Sequence, residues 1–313
     1  MPEKYKVIID TDIGDDIDDA MALAYALRRP ELQILGITTV FGPVEARARM
    51  AKRLLEIAGR TDIPVYAGNG LLLMNQIPVF DHLSHYDKSM DSAAYDTSVH
   101  AVDFIIDTLK KSDGDITLVP IGAMTNIAIA LLKCPAIKEK IRRIVWMGGA
   151  FYYQFLTWNA LCDPDALRVV AESGVPISFI SRDVCEPCEM TREQVEELAL
   201  SREPLNKFVS GMIADFLKKC KRMPILFDPL TITAVFDKER ITYRDERVLV
   251  ETRGEFTRGM TFLARPFYTQ TKLLPGYPRY EDLPVSQVAS ACDPKEYVRH
   301  YLDCMLNMPV LPA

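Results

Sequence analysis

Lys6-Val-Ile-Ile-Asp10-Thr-Asp12-Ile-Gly14-Asp15-Asp16-Ile-Asp18-Asp19-Ala20-Met-Ala22-Leu23 is the stretch that decides the fold. It opens on a β-rich apolar run, passes through a knot of carboxylates and continues with Ala, Leu and Met at helical spacing up to Pro30. The same strand-then-helix rhythm recurs outward from it. Strands are expected at 6–10, 32–40, 63–67, 116–121, 141–147 and 176–181, and helices at 19–29, 44–58, 100–111, 125–132 and 164–173. The strands are nearly continuous apolar runs, as required when both faces of a sheet are covered. The expected fold class is therefore α/β: an open, mostly parallel, doubly wound sheet with a Rossmann-like core and helices on both faces. From residue 190 the pattern becomes helical (192–201, 205–220) and then strand-like (248–251, 260–263), so a helical C-terminal portion is expected. No linker divides the chain, and 1–313 is read as one domain. In such a sheet a ligand sits beyond the carboxyl ends of the strands. That singles out 10–19, 38–43, 121–126, 147–159 and 227–228.

Composition excludes several classes. The 313 residues are 49% hydrophobic and 26% charged, enough apolar surface to bury a core. The net charge of −6 argues against a basic nucleic-acid surface, and no apolar run approaches a membrane span. Residues 1–6 run into a strand without a signal-peptide core, and the seven cysteines are odd in number and scattered. Both point to a reducing, cytoplasmic setting. Cys185-Glu-Pro-Cys188 has no second pair or nearby histidines, so buried thiols are the better reading than zinc.

The run 10–19 holds six aspartates in ten residues. Helix capping and the helix dipole account for one or two of them. The rest repel strongly unless they are protonated, solvated or neutralised by a cation, and hard carboxylate oxygens suit Ca²⁺ or Mg²⁺. An EF-hand would need a preceding helix and a Glu at position twelve of the loop. Phosphatases of the haloacid-dehalogenase type also open strand-Asp-x-Asp, but with Thr or Val where this chain has Gly14. A third pattern fits further. Asp10-Thr-Asp12-Ile-Gly14 with Asp18-Asp19-Ala20-Met-Ala22-Leu23 resembles the N-terminal signature of the nucleoside hydrolases. The resemblance continues in order through Gly36-Ile-Thr38-Thr39-Val40, Leu118-Val-Pro-Ile121-Gly-Ala-Met-Thr125-Asn126, Val145-Trp-Met147-Gly148-Gly149, Trp158-Asn159-Ala-Leu-Cys-Asp163, Asp228-Pro229-Leu230 and Thr257-Arg258-Gly259-Met260-Thr261.

The resemblance implies a Ca²⁺-dependent N-ribohydrolase, most simply a homodimer or homotetramer, acting on a small-molecule riboside. The ion would be held by Asp12, Asp19, Asp228 and the backbone carbonyl of Ile121, with Asp12 also the base towards the attacking water. Asp18 and Asn159 would bind ribose hydroxyls, with Met147, Trp158 and Asp228 completing the substrate contacts, and Asp10 would stand behind Asp12 and orient it. The chemistry agrees: a carboxylate-rich pocket stabilises the positive charge that develops on the sugar. Capping roles for Asn159 and Asp228 are the plainer alternatives.

The chain also departs from the family pattern. Three residues rather than one separate Gly14 from Asp18, which puts Asp15 and Asp16 near the site. Phe227 stands where many relatives carry a histidine that protonates the leaving group. Gly42-Pro43 replaces Gly-Asn, Thr157 replaces a glutamate, and His82 and His85 lack the usual spacing. Phe151, Tyr152, Tyr153, Phe155 and Trp158 form an aromatic-rich loop that is expected either to stack on the leaving base or to serve as a lid or subunit contact. The alternatives to hydrolysis are a catalytically impaired ribose and Ca²⁺ binder and, less well matched, a Mg²⁺-dependent phosphatase of the dehalogenase type.

Overall fold

The computed structural model describes residues 4–74, 83–266 and 280–313. Among them nine strands form one sheet: β1 (Tyr5–Thr11), β2 (Leu32–Thr39), β3 (Val65–Ala67), β4 (Ile116–Pro120), β5 (Ile141–Met147), β6 (Ile177–Ile180), β7 (Thr242–Val250), β8 (Thr261–Leu263) and β9 (Val285–Ala291). Their spatial order is β3-β2-β1-β4-β5-β6-β9-β7-β8. Every pairing from β3 to β9 is parallel, and β7 then runs antiparallel to both β9 and β8. The winding reverses between β1 and β4, which opens a crevice at their carboxyl ends.

Strand alternation sorts the side chains into two cores. Val7, Ile9, Val119, Val145 and Ile180 face one layer of helices: α1 (Asp18–Ala26), α2 (Val44–Ile57), α9 (Pro204–Cys220), α10 (Phe227–Phe236) and α11 (Pro294–Asn307). Ile8, Leu118, Ile144, Trp146 and Phe179 face the other, with α3 (Ala101–Lys111), α4 (Thr125–Lys133) and α6 (Pro164–Ala171). Each such side chain contributes about 1.5–3 kcal/mol by leaving water. The expectation of a doubly wound sheet is met.

Two helices position the acids of the crevice. Every residue of α1 is buried, and in α10 every residue from Phe227 to Val235 is. A helix apolar all round belongs in the interior, and these two pack against each other. Their first turns carry Asp18, Asp19 and Asp228, so the packing that buries the helices also buries those carboxylates.

The C-terminal third holds the expected helices and the two expected strand segments, with β9 and α11 in addition. The helical stretch comprises α8 (Arg192–Ala199), α9 and α10, and three strands and α11 follow. β9 inserts beside β6 as the seventh parallel strand, although Val-Ser-Gln-Val-Ala-Ser-Ala has too few large apolar residues to read as one. The segment expected at 248–251 is the end of a longer β7, whose charged start, Thr-Tyr-Arg-Asp-Glu, lies mostly at the surface. β3 begins at Val65 rather than at 63.

Candidate active site

The crevice holds a cavity of about 810 Å³. Asp12, Asp18, Asp19, Ile121, Met147, Trp158, Asn159 and Asp228 all line it, so residues spread over more than two hundred positions of sequence meet in one place. Asp15 and Asp16 line it too. Asp10 stands behind: its Oδ1 accepts from the Thr38 hydroxyl at 2.6 Å and the Asn126 amide at 2.8 Å.

Asp18, Asp19 and Asp228 each offer an oxygen within 4.8 Å of the other two, and all three are buried. Asp12 is outside that triple but borders the same space, its Oδ1 so close to Gly122 that a Cβ there would come within 2.8 Å. Burial is the first cause that raises each of these acids. It lifts Asp10 to about 7 and Asp12 to about 6, the latter against the pull of Arg47, and lifts Asp18, Asp19 and Asp228 well above the ordinary carboxylate range, with mutual repulsion adding to it. The Thr11 hydroxyl donates to Asp19 Oδ1, but Asp228 Oδ1 and Asp10 Oδ2 are buried without a hydrogen-bond partner among the described residues. Leaving such an oxygen unmatched is costly. A hard divalent cation is the group that fits a buried, oxygen-only donor set of this kind.

Capping explains neither Asp228 nor Asn159. α10 begins at Phe227 with no side-chain cap. α5 (Trp158–Cys162) follows Thr157 as its cap position, while the Asn159 amide donates to the carbonyls of Ile121, at 2.7 Å, and Met147, at 3.0 Å. Asn159 thus ties the ends of β4 and β5 together and keeps its amide oxygen as an acceptor.

Arg47 was missed in the sequence. It is fully buried on α2; its Nε donates to the Phe41 carbonyl at 2.6 Å, its Nη1 to the carbonyls of Asp12 and Ile13, and its Nη2 to Asp15 at 2.8 Å. It therefore sets the path of the acidic loop. The signal was available: Arg47 is in phase with Met50, Ala51 and Leu54, the stripe that α2 buries. Phe41 itself sits at φ 66°, a left-handed conformation that a bulky residue adopts only under constraint, and its ring meets Trp158 edge-on at 5.8 Å. Asp16, from the lengthened loop, pairs with Arg222 across the cavity rim.

The aromatic loop divides. Trp158 lines the cavity, Phe151 packs edge-on against Phe179 in the core, and Tyr152, Tyr153 and Phe155 are exposed. Phe227 lines the cavity. His85 is buried beside Phe216, is held below the usual histidine range by burial and by Lys219, and does not line the cavity; His82 lies outside the described residues.

A family model described as inosine-uridine preferring nucleoside hydrolase matches residues 7–299. The chain belongs to that family. The nucleoside hydrolase match leaves no room for the dehalogenase-type alternative. A pyrimidine-specific ribonucleoside hydrolase, RihB of Escherichia coli, is 38% identical over 231 residues, covering 69% of this chain and 72% of the relative. Among solved structures, a plant nucleoside hydrolase, PpNRh1, superposes with a TM-score of 0.82 at 26% identity, covering 97% of this chain and 99% of that one. A purine-preferring ribonucleoside hydrolase from Gardnerella vaginalis gives 0.78 at 28% identity, covering 96% and 98%. These nucleoside hydrolases are N-glycosidases, and they share the α/β fold of this chain.

Proposed function

We propose that this nucleoside hydrolase cleaves the N-glycosidic bond of a ribonucleoside by direct attack of water, with Ca²⁺ as its resident ion. The observation that carries this reading is the buried, unneutralised group of Asp18, Asp19 and Asp228 beside Asp12 at the crevice of the sheet. Asp12, Asp19, Asp228 and the Ile121 carbonyl would hold the ion. When bound, it supplies a water of lowered pKa and an anchor for vicinal hydroxyls.

The chain's own residues account for the rest. Asp12 takes the proton from the attacking water as general base. Asp18 and the free oxygen of Asn159 bind the ribose hydroxyls and fix the sugar for in-line attack. The buried negative charge favours the cationic sugar of the transition state over the neutral substrate. Trp158, which lines the cavity, would stack on the base.

A cytoplasmic setting is part of the proposal, supported by seven free thiols. So is a homodimer or homotetramer, supported by the family resemblance. Among the described residues no helix is long and apolar enough to cross a membrane.

The test is ribose release from a panel of nucleosides before and after EDTA treatment. Release should cease on chelation and return with added Ca²⁺. Turnover that survives complete removal of divalent ions would refute the ion's role. Nucleoside binding without ribose release would instead identify an impaired homologue, a reading that Phe227, which has no proton to give, specifically favours.

A further inference from the structure

Arg182 is the first residue of α7 (Arg182–Cys185) and lines the cavity alongside Phe227, Trp158 and Glu186. Its guanidinium is held from several directions. Nη2 donates to Glu186 Oε1 at 2.5 Å and Nε donates to the Tyr153 hydroxyl at 3.1 Å. Its central carbon lies 3.9 Å from the centre of the Phe155 ring and 5.5 Å from that of Phe227. Tyr153 in turn donates to Glu186 Oε2 at 2.6 Å. The backbone is fixed as well: Arg182 N donates to the Gly149 carbonyl at 2.8 Å, and Asp183 accepts from the amides of Phe151 and Tyr152 at 2.8 and 3.0 Å. A surface ion pair does not require two aromatic faces and a tyrosine to position it. The arrangement is that of a preorganised cation, and the Nη1 edge of the fork is tied to neither Tyr153 nor Glu186.

The neighbouring groups are poor proton donors near neutrality. Phe227 has no exchangeable proton. The Tyr153 hydroxyl is pushed up to about 12 by burial and by its bond to Glu186. Burial would raise Glu186, but the bonds from Tyr153 and Arg182 outweigh it and keep the carboxyl below its ordinary value. A permanent cation therefore stands on this wall where an acid would otherwise be sought.

We propose that Arg182 is a catalytic residue of this nucleoside hydrolase, stabilising the departing aglycone as an anion in place of protonating it. The proposal rests on the hydrolase reading above. The oxygen of the attacking water bonds to C1′ and one of its protons passes to Asp12. The C1′–N bond breaks with its electron pair on the base nitrogen, and the charge spreads over the ring's acceptor atoms, to which a guanidinium can only donate. The base anion then takes a proton from solvent, and Asp12 returns its own. A donor fixed before the reaction is most effective where charge develops.

The test varies the leaving group. 4-Nitrophenyl β-D-riboside releases a phenolate that is a stable anion by itself, whereas uridine and inosine release poor anions. Arg182→Leu should lower kcat/KM for both nucleosides about 100-fold while changing that for the nitrophenyl riboside by a few-fold at most. Arg182→Lys, which keeps the charge without the fork, should show a selective loss of about ten-fold, and it carries the test if the leucine variant fails to fold by circular dichroism. Equal losses on all three substrates, or no loss, would overturn the role of Arg182 and leave the hydrolase reading standing. A wild-type enzyme that releases ribose from none of them would overturn that reading itself.

Discussion

Asp12, Asp18, Asp19 and Asp228 stand at a strand end and on the first turns of two almost wholly buried helices, whereas Arg182, Glu186 and Trp158, with Tyr153 bonded to the first two, stand on loops and very short helices at the outer wall of the same cavity. The backbone of the floor is anchored in two core helices and the central strand. Its cost is electrostatic: oxygens without partners and acids pushed far from their ordinary values. In the wall Arg182, Glu186 and Tyr153 bond to one another, and large aromatic surface stays in water. The contrast separates two tasks. On the proposed reading, a cation completes the floor, which holds the sugar, and the wall meets the aglycone.

The largest expected effect tests the floor. Asp12→Asn preserves shape and removes the proposed base together with one proposed ion ligand, so kcat at saturating Ca²⁺ and nucleoside should fall by ~10²–10⁴-fold. Stopped-time ribose assays on a variant verified by circular dichroism measure this. An unimpaired kcat would mean that the proton leaves by another route and that floor and wall do not divide the chemistry between them.

The two regions also differ in how legible they are from sequence. The floor is written in a contiguous block, 10–19, and in short motifs that follow each strand, because a strand end and the helix after it are neighbours in both sequence and space. Asp228 came from the family resemblance, since nothing local to Phe-Asp-Pro indicates that α10 packs on α1. The wall combines 149–158, 182–186 and 222–227, and its contacts, such as Tyr153 to Glu186, join loops whose course only the folded chain defines. β9 was illegible for a related reason: its alternation is carried by Val, Ala and Ser, and its place in the sheet is fixed by β6 and β7 on either side rather than by its own hydrophobicity.

Arg47 belongs to the floor but behaves like the wall, because it brings its own partners. Arg47→Met retains the apolar stem and orphans the carbonyls of Phe41, Asp12 and Ile13 while leaving Asp15 unpaired. Asp15 is partly solvated, which reduces the penalty at that end, so a loss of about 3 kcal/mol in unfolding free energy is expected from the buried carbonyls. Urea denaturation in the absence of divalent ions measures it. A midpoint equal to wild type would show that the acidic loop holds its course without the guanidinium, and that the helices and the strand alone anchor the floor.

The smallest effects distinguish the aromatics within the wall. Trp158 and Tyr152 are almost equally exposed, at 43% and 42%, so exposure does not separate them. Position does: Trp158 lines the cavity and rests edge-on against the strained Phe41, whereas Tyr152 lies 5.7 Å from the Arg244 guanidinium and away from the cavity lining. Stacking of a base on an aromatic face is worth ~1–3 kcal/mol. Trp158→Ala should therefore raise KM for a nucleoside about ten-fold, and Tyr152→Ala should leave kcat/KM within about two-fold, as for an ordinary surface residue. If the two substitutions cost the same, the loop acts as a single mobile cover rather than as one stacking residue with a surface beside it. The wall would then have to be described by how it closes instead of by which side chains face the base.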